Sequence, residues 1–368
     1  MPISDSGLNA DWFSKPGDSL RELMKRRATD AEYLAGRLEG GMSALRGLLD
    51  GTLAIDADRA TALADTIGGT REFWLKRQSN YEASLNRAVD AAAAAAEAEE
   101  WIDRVPRPGP RRRGRLSDVA LKDELRQRMA YFNVPSIASW HERYGRVCAN
   151  TRFRTSNSYC SLETAVLLWL RRGELETDLV PTRAWKSGNL QDRLSAIRKL
   201  SRISQPSRFF PKLRTLCAEA GVAVVAVRAP QGCRASGATR LVMSNKAMML
   251  LSFRHRADDQ FWFTVFHEMG HLILHGAHTF VDGDGTPEDE REREANQFAS
   301  QCIIPADRFA EFADLSADRD SVIRFSVSIG VSPGLTVGQM QHRRMIPFNR
   351  LNSLKRHWTW GDIGPVLI

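Results

Sequence analysis

The chain has 368 residues, a length that suits two or three domains with apolar material enough for real cores. No stretch approaches the about 18–20 uncharged apolar residues of a membrane span, and Met1-Pro2-Ile3-Ser4-Asp5 has neither the basic region nor the apolar run of a secretion signal, so no membrane partner and a cytoplasmic location are expected. The net charge of +8 and a pI near 9.5 favour an acidic partner such as double-stranded DNA.

Residues 1–95 read as a module of short helices. Pro16-Gly17-Asp18 precedes Leu20, Leu23 and Met24, and Asp30 caps a second helix with Leu34 and Leu38. Gly40-Gly41 makes a turn before Leu45, Leu48 and Leu49, and Asp50-Gly51 stops that helix. A fourth helix runs over 56–67 to Gly68-Gly69. Thr70 opens a longer one through Trp74 into the alanine tract at 91–96.

Prolines, glycines and like charges cluster over 104–115, so residues 96–116 read as a basic, solvated linker. Residues 117–205 read as a helical connecting region without chemistry of its own. The five cysteines, Cys148, Cys160, Cys217, Cys233 and Cys302, form no CxxC pair and read as reduced thiols.

The texture changes in the last domain, residues 206–368. A helix over 213–220 ends at Gly221, and the β-branched run 222–227 predicts a buried strand. Short strands are expected over 239–243 and 247–253. Thr286-Pro287-Glu288-Asp289 has the cap, proline and acids of a helix start.

Between these lies an apolar helix, residues 261–274, carrying His267-Glu268-Met269-Gly270-His271. Histidines four apart share one helix face, so both imidazoles can reach one cation, and Glu268 can meet a water on that cation. This H-E-x-x-H spacing is the zincin signature. Burying the stripe Thr264, His267, His271 and His275 without partners would cost several kcal/mol, on a rough estimate; a metal satisfies it. A third ligand is needed, and the following helix offers Glu288, Glu290, Glu292 and Glu294, among which periodicity does not choose. Two histidines and a carboxylate accept Zn2+ or Mn2+. His275 reads as a helix-end residue, with spare ligand or proton donor as alternatives. With no tyrosine beyond Tyr159, an oxyanion would fall to His255, His278, His342 or a backbone group.

Residues 211–360 resemble the ImmA/IrrE family of bacterial metallopeptidases. The matching residues are the stretch 262–275, then Glu292-Arg293-Glu294-Ala295-Asn296-Gln297-Phe298-Ala299, then Ile303-Ile304-Pro305. The second block is similar to the family's E-x-x-A-N-x-F-A pattern. The resemblance implies Glu292 as third ligand, with Glu294 as fallback, and Asn296 as a group orienting a ligand. It also implies metal-assisted hydrolysis with Glu268 as general base.

Residues 16–82 resemble the lambda-repressor-like helix-turn-helix of the XRE family, in its HigA-like branch. The carriers are Ala31-Glu32-Tyr33-Leu34-Ala35-Gly36-Arg37-Leu38, the stretch 45–51, and Arg71-Glu72-Phe73-Trp74-Leu75. The resemblance implies a recognition helix over 42–49, with Ser43 and Arg46 able to read bases and Arg37 able to reach phosphate. A homodimer through this module is expected.

The expected fold class is therefore mainly α with a small β-sheet: a lambda-repressor-like helical domain followed by an α+β zincin-like domain. The expected function is a zinc-dependent regulatory endopeptidase acting on a helix-turn-helix repressor or related protein. The alternative is an antitoxin-like regulator whose zinc domain is a sensor or structural element.

Overall fold

Asp30, Asp56 and Thr70 each precede a helix, and each side chain accepts backbone N–H bonds from that helix's first turn: from Glu32 and Tyr33, from Arg59, and from Phe73. These caps punctuate the start of the chain. The computed structural model describes residues 14–108, 116–151, 159–276, 280–283 and 290–367. They divide into two compact units, residues 1–160 and 161–368.

The first unit opens with α1 (Pro16–Arg26), α2 (Ala31–Ala35), α3 (Gly41–Asp50), α4 (Ala57–Ile67) and α5 (Arg71–Ala93). Gly40 and Gly51, both with positive φ, bracket α3. Leu20, Leu34, Leu45, Leu63, Ile67 and Trp74 are fully buried among these helices. The Arg77 guanidinium donates to the Ser14 and Ser19 hydroxyls and so ties α5 to α1. Then follow α6 (Ala98–Arg104), α7 (Asp118–Phe132) and α8 (Ile137–Thr151).

The described part of the 96–116 segment is packed. Ala98–Arg104 is helical, Val105 is buried, and Arg107 makes two 2.9 Å hydrogen bonds to the buried Glu124. A buried carboxylate on α7 needs a cation, and Arg107 provides it. Residues 109–115 lie outside the described residues.

The second unit comprises most of α9 (Tyr159–Thr177), then α10 (Ser187–Gln191), α11 (Leu194–Leu200) and α12 (Pro206–Ala218). After the sheet come α13 (Asp258–Gly270), α14 (Glu290–Ile303), α15 (Phe309–Ala313), α16 (Arg319–Ile329), α17 (Pro333–His342) and α18 (Trp360–Ile363). The sheet has the order β1-β3-β2-β4, with β1 (Val222–Ala226) parallel to β3 (Lys246–Leu251), and β2 (Ala235–Met243) antiparallel to both β3 and β4 (Phe280–Gly283).

All five residues of β1 are apolar and buried because both faces of the strand are covered. Val222, Val224, Met249 and Leu251 pack with Phe209, Phe210, Trp262 and Phe266 of α12 and α13. On the other face, Gly173 of α9 leaves no room for a Cβ against Leu250, and the Trp169 indole N–H donates to the Val227 carbonyl at 2.8 Å. Arg240 of β2 pairs with the buried Glu174, and Lys246 of β3 donates to the Thr177 and Val180 carbonyls. Trp169, Gly173, Glu174, Thr177 and Val180 thus take part in the sheet's packing. The apolar stripe of α9 signalled burial but not its partner.

Candidate metal centre

The start of α13 is fixed by bonds to segments remote in sequence. The buried Asp258 carboxylate accepts from the Ser332 hydroxyl at 2.9 Å and from the Arg356 backbone N–H at 3.0 Å. Asp259 pairs with Lys355 at 2.6 Å. From this anchor α13 runs through Trp262, Val265, Phe266 and Met269, all with no exposed surface, and carries His267 and Glu268 into the interior.

At His271 the helix widens into a π-turn, His271–His275. Such turns are rare and recur at functional sites. Gly270 lets α14 come close: a Cβ there would stand 3.1 Å from Phe298 Cδ1 and 3.2 Å from Ala295 Cα. This close crossing brings α14's first turns over the histidines.

Three groups converge between the two helices. His267 Nε2 and His271 Nε2 are 3.0 Å apart, and the Glu292 carboxylate oxygens lie 3.3 Å and 3.4 Å from them. Two imidazole nitrogens and a carboxylate oxygen within 4.8 Å of one another form a donor set that a divalent cation such as zinc takes. Burial pushes the His271 imidazole below its ordinary pKa, which favours its neutral, ligating form. Burial would raise Glu292, but the two imidazoles facing it outweigh burial and hold its carboxyl at about 2.

Asn296, one turn beyond Glu292, places its Oδ1 3.0 Å from His267 Nδ1. Glu294 is on the other flank of α14, where its carboxylate meets His275 Nε2 at 2.8 Å rather than joining Glu292. Glu290 is exposed at the start of the helix, and Glu288 lies outside the described residues.

Glu268 is fully buried against Gly237 of β2, where a Cβ would come within 2.7 Å of Glu268 Cγ. Gly237 belongs to no motif. It lies outside the strand expected over 239–243, because the observed β2 begins earlier, at Ala235.

Of the histidines considered for an oxyanion, His255 precedes α13, whose start is about 14 Å along the axis from His267 at the usual helical rise. His342 is exposed at the end of α17, its ring 6.3 Å from that of Phe263, which in turn stacks on His267. His278 lies outside the described residues. In the first unit, Arg37 and Ser43 are exposed and Arg46 of α3 is half-buried; the Arg37 guanidinium sits over the Tyr33 ring.

Residues 219–337 match the family model Peptidase_M78, described as an IrrE N-terminal-like domain. The match spans the four strands, both helices of the site and the first part of α17. This part of the chain is therefore similar to metallopeptidases of the ImmA/IrrE type, a class that works with a divalent metal. No curated protein matches the chain. No helix among the described residues is long and apolar enough to cross a membrane.

Proposed function

We propose that the protein is a zinc-dependent endopeptidase whose substrate is another regulatory protein, of the helix-turn-helix repressor kind, in the cytoplasm. The observation that carries the reading is the convergence of His267, His271 and Glu292 beside a buried carboxylate, Glu268.

His267, His271 and Glu292 would hold the ion, and Asn296 would orient the first imidazole through its Nδ1. A divalent cation there supplies Lewis acidity toward a water and toward the scissile carbonyl. Glu268 follows His267 directly, so its carboxylate is carried by the same turn of helix. In this reading it takes the proton of the attacking water and delivers it to the leaving amine. A purely structural zinc site has no need of such a base. Burial of Glu268 sets the proton transfers apart from bulk solvent.

The first unit supplies the address. Helices α2 and α3 stand in the order of a helix-turn-helix, and Arg37, Ser43 and Arg46 are the side chains offered to double-stranded DNA, with a homodimer of this unit as its form on an operator. Such a fusion brings the protease to the repressor at its operator, as a stress or mobile-element response requires.

The test incubates the full chain with co-encoded helix-turn-helix repressors, with zinc or with chelator, as wild type or as Glu268→Gln. Cleavage by zinc-loaded wild type alone is expected. A zinc-loaded wild type that cuts none of them while binding operator DNA would instead make the zinc domain a sensor or structural element.

A further inference from the structure

His271 contacts more than the three convergent groups. Its Nδ1 lies 3.1 Å from His275 Nδ1, and His275 Nε2 lies 2.8 Å from Glu294 Oε2. The chain His271–His275–Glu294 leads from the buried centre to the surface: the His275 side chain is 6% exposed and that of Glu294 is 52% exposed.

Ligation of an ion by His271 would set the direction of these bonds. A carboxylate only accepts, so His275 Nε2 carries the proton and donates to Glu294. His271 Nε2 faces His267 and Glu292, so an ion held there needs its lone pair; the His271 proton then sits on Nδ1 and is donated to His275 Nδ1.

The π-turn makes this geometry. His271 and His275 are its first and last residues, and their rings stand 5.3 Å apart, tilted at 51°. In contrast, His267 is oriented by the neutral amide of Asn296. The two imidazoles of the centre thus rest on unlike supports, an amide beside His267 and, through His275, a carboxylate beyond His271.

We propose that His275 and Glu294 are positioning residues that lock His271 in its Nδ1–H tautomer and aim its Nε2 at the metal. This rests on the metal-centre reading of His267, His271 and Glu292 and goes beyond it by assigning two residues outside the ligand set. Glu294 has this role instead of ligation. His275 has it instead of serving as a spare ligand.

The experiment uses the full chain and two readouts that need no proteolysis. Zinc affinity is measured by competition with a chromophoric chelator. The tautomer of His271 is read from 15N-imidazole spectra of the zinc-loaded protein. The variants are His275→Ala, His275→Asn, Glu294→Ala and Glu294→Gln, with folding checked by circular dichroism.

Loss of a hydrogen-bonded support of this kind weakens metal binding by about 10- to 100-fold. That loss is expected for His275→Ala. Glu294→Ala should lose less, since its support is partly exposed. The Asn variant, which keeps one acceptor and one donor, and Glu294→Gln, which keeps an acceptor, should recover part of the affinity. In the wild type, His271 should show a protonated Nδ1 that exchanges slowly, and in His275→Ala that protection should disappear.

Wild-type zinc affinity in both alanine variants would overturn the proposal, as would a His271 ring protonated on Nε2. The same holds if removing His275 takes a nitrogen out of the zinc coordination shell. Failure of the peptidase reading looks different: zinc is bound, the variants rank as stated, and no repressor is cut.

Discussion

Gly237 of β2 lies against Glu268 of α13, with no room between them for a methyl group. A Cβ on Gly237 would stand 2.7 Å from Glu268 Cγ and 2.7 Å from Thr264 Cγ2. Both neighbours are buried side chains of α13, so they have little space to yield. Gly237→Ala should therefore displace the proposed base while leaving the histidines in place. The expected outcome is full zinc content with kcat reduced at least about tenfold, or about 1.4 kcal/mol in the barrier. Metal analysis and repressor cleavage rates on the same preparation check it.

Glu268→Gln removes the proton acceptor and keeps the volume. A positioned general base contributes about 10²–10⁴ in rate, and a loss of that size in kcat/KM is expected. The buried amide is nearly isosteric with the carboxylate, so zinc affinity and the melting temperature should change little. Glu292→Ala is the contrasting case, since removing one of three convergent donors should abolish stoichiometric zinc at micromolar metal. Equal zinc retention by both variants would contradict the division of roles between base and ligand.

The sequence displays the site unevenly, for physical reasons. His267, Glu268 and His271 are legible because one helix turn relates them, and helical spacing is a local property. Glu292 is on another helix, so its choice over Glu294 rests on the crossing of α13 and α14, which depends on Gly270 meeting Ala295 and Phe298. Gly237 is not legible, because it falls before the expected strand and what it approaches is far along the chain. Caps at Asp30, Asp56 and Thr70 are written locally and read directly. The buried pair Arg107–Glu124 hides in a Pro/Arg-rich run whose composition suggests solvent, since composition does not reveal a carboxylate waiting on another helix.

That pair gives the first unit an acid-sensitive element. Hydrogen bonds from Arg107, with Arg128 beside it, hold the Glu124 carboxyl at about 2 against an ordinary value of 4.5. The folded pKa is depressed, so the stabilisation is complete above pH 4.5 and is lost as pH falls from 4.5 toward 2. Its size is about 3 kcal/mol, undiminished by solvent because the Glu124 side chain is almost wholly buried. Chemical denaturation of residues 1–160, followed in the full chain by tryptophan fluorescence, should lose stability over that window. Glu124→Gln should be less stable at pH 7 and should show a flatter dependence below pH 4.5. An unchanged acid slope in that variant would place the sensitivity elsewhere.

Gly17 in the first turn of α1 faces the end of α3 so closely that a Cβ would stand 2.5 Å from the Leu49 carbonyl oxygen and 2.6 Å from that of Leu48. These are backbone atoms and cannot rotate away, so Gly17→Ala must push α1 from α3. Overpacking of this kind costs about 1–3 kcal/mol. Since α3 carries Ser43 and Arg46, the displacement should also disturb the surface proposed to face DNA. The variant should melt several degrees lower in the transition of the first unit and bind operator duplex more weakly at fixed salt, while its zinc affinity stays at the wild-type value. Arg37→Ala and Arg46→Ala separate the two effects: at wild-type stability both should still weaken binding, Arg37→Ala with a reduced salt dependence, the mark of a lost phosphate contact, and Arg46→Ala with relaxed sequence preference. If the arginine variants bind as wild type does and only Gly17→Ala binds poorly, α3 is structural and another face of the unit meets the DNA.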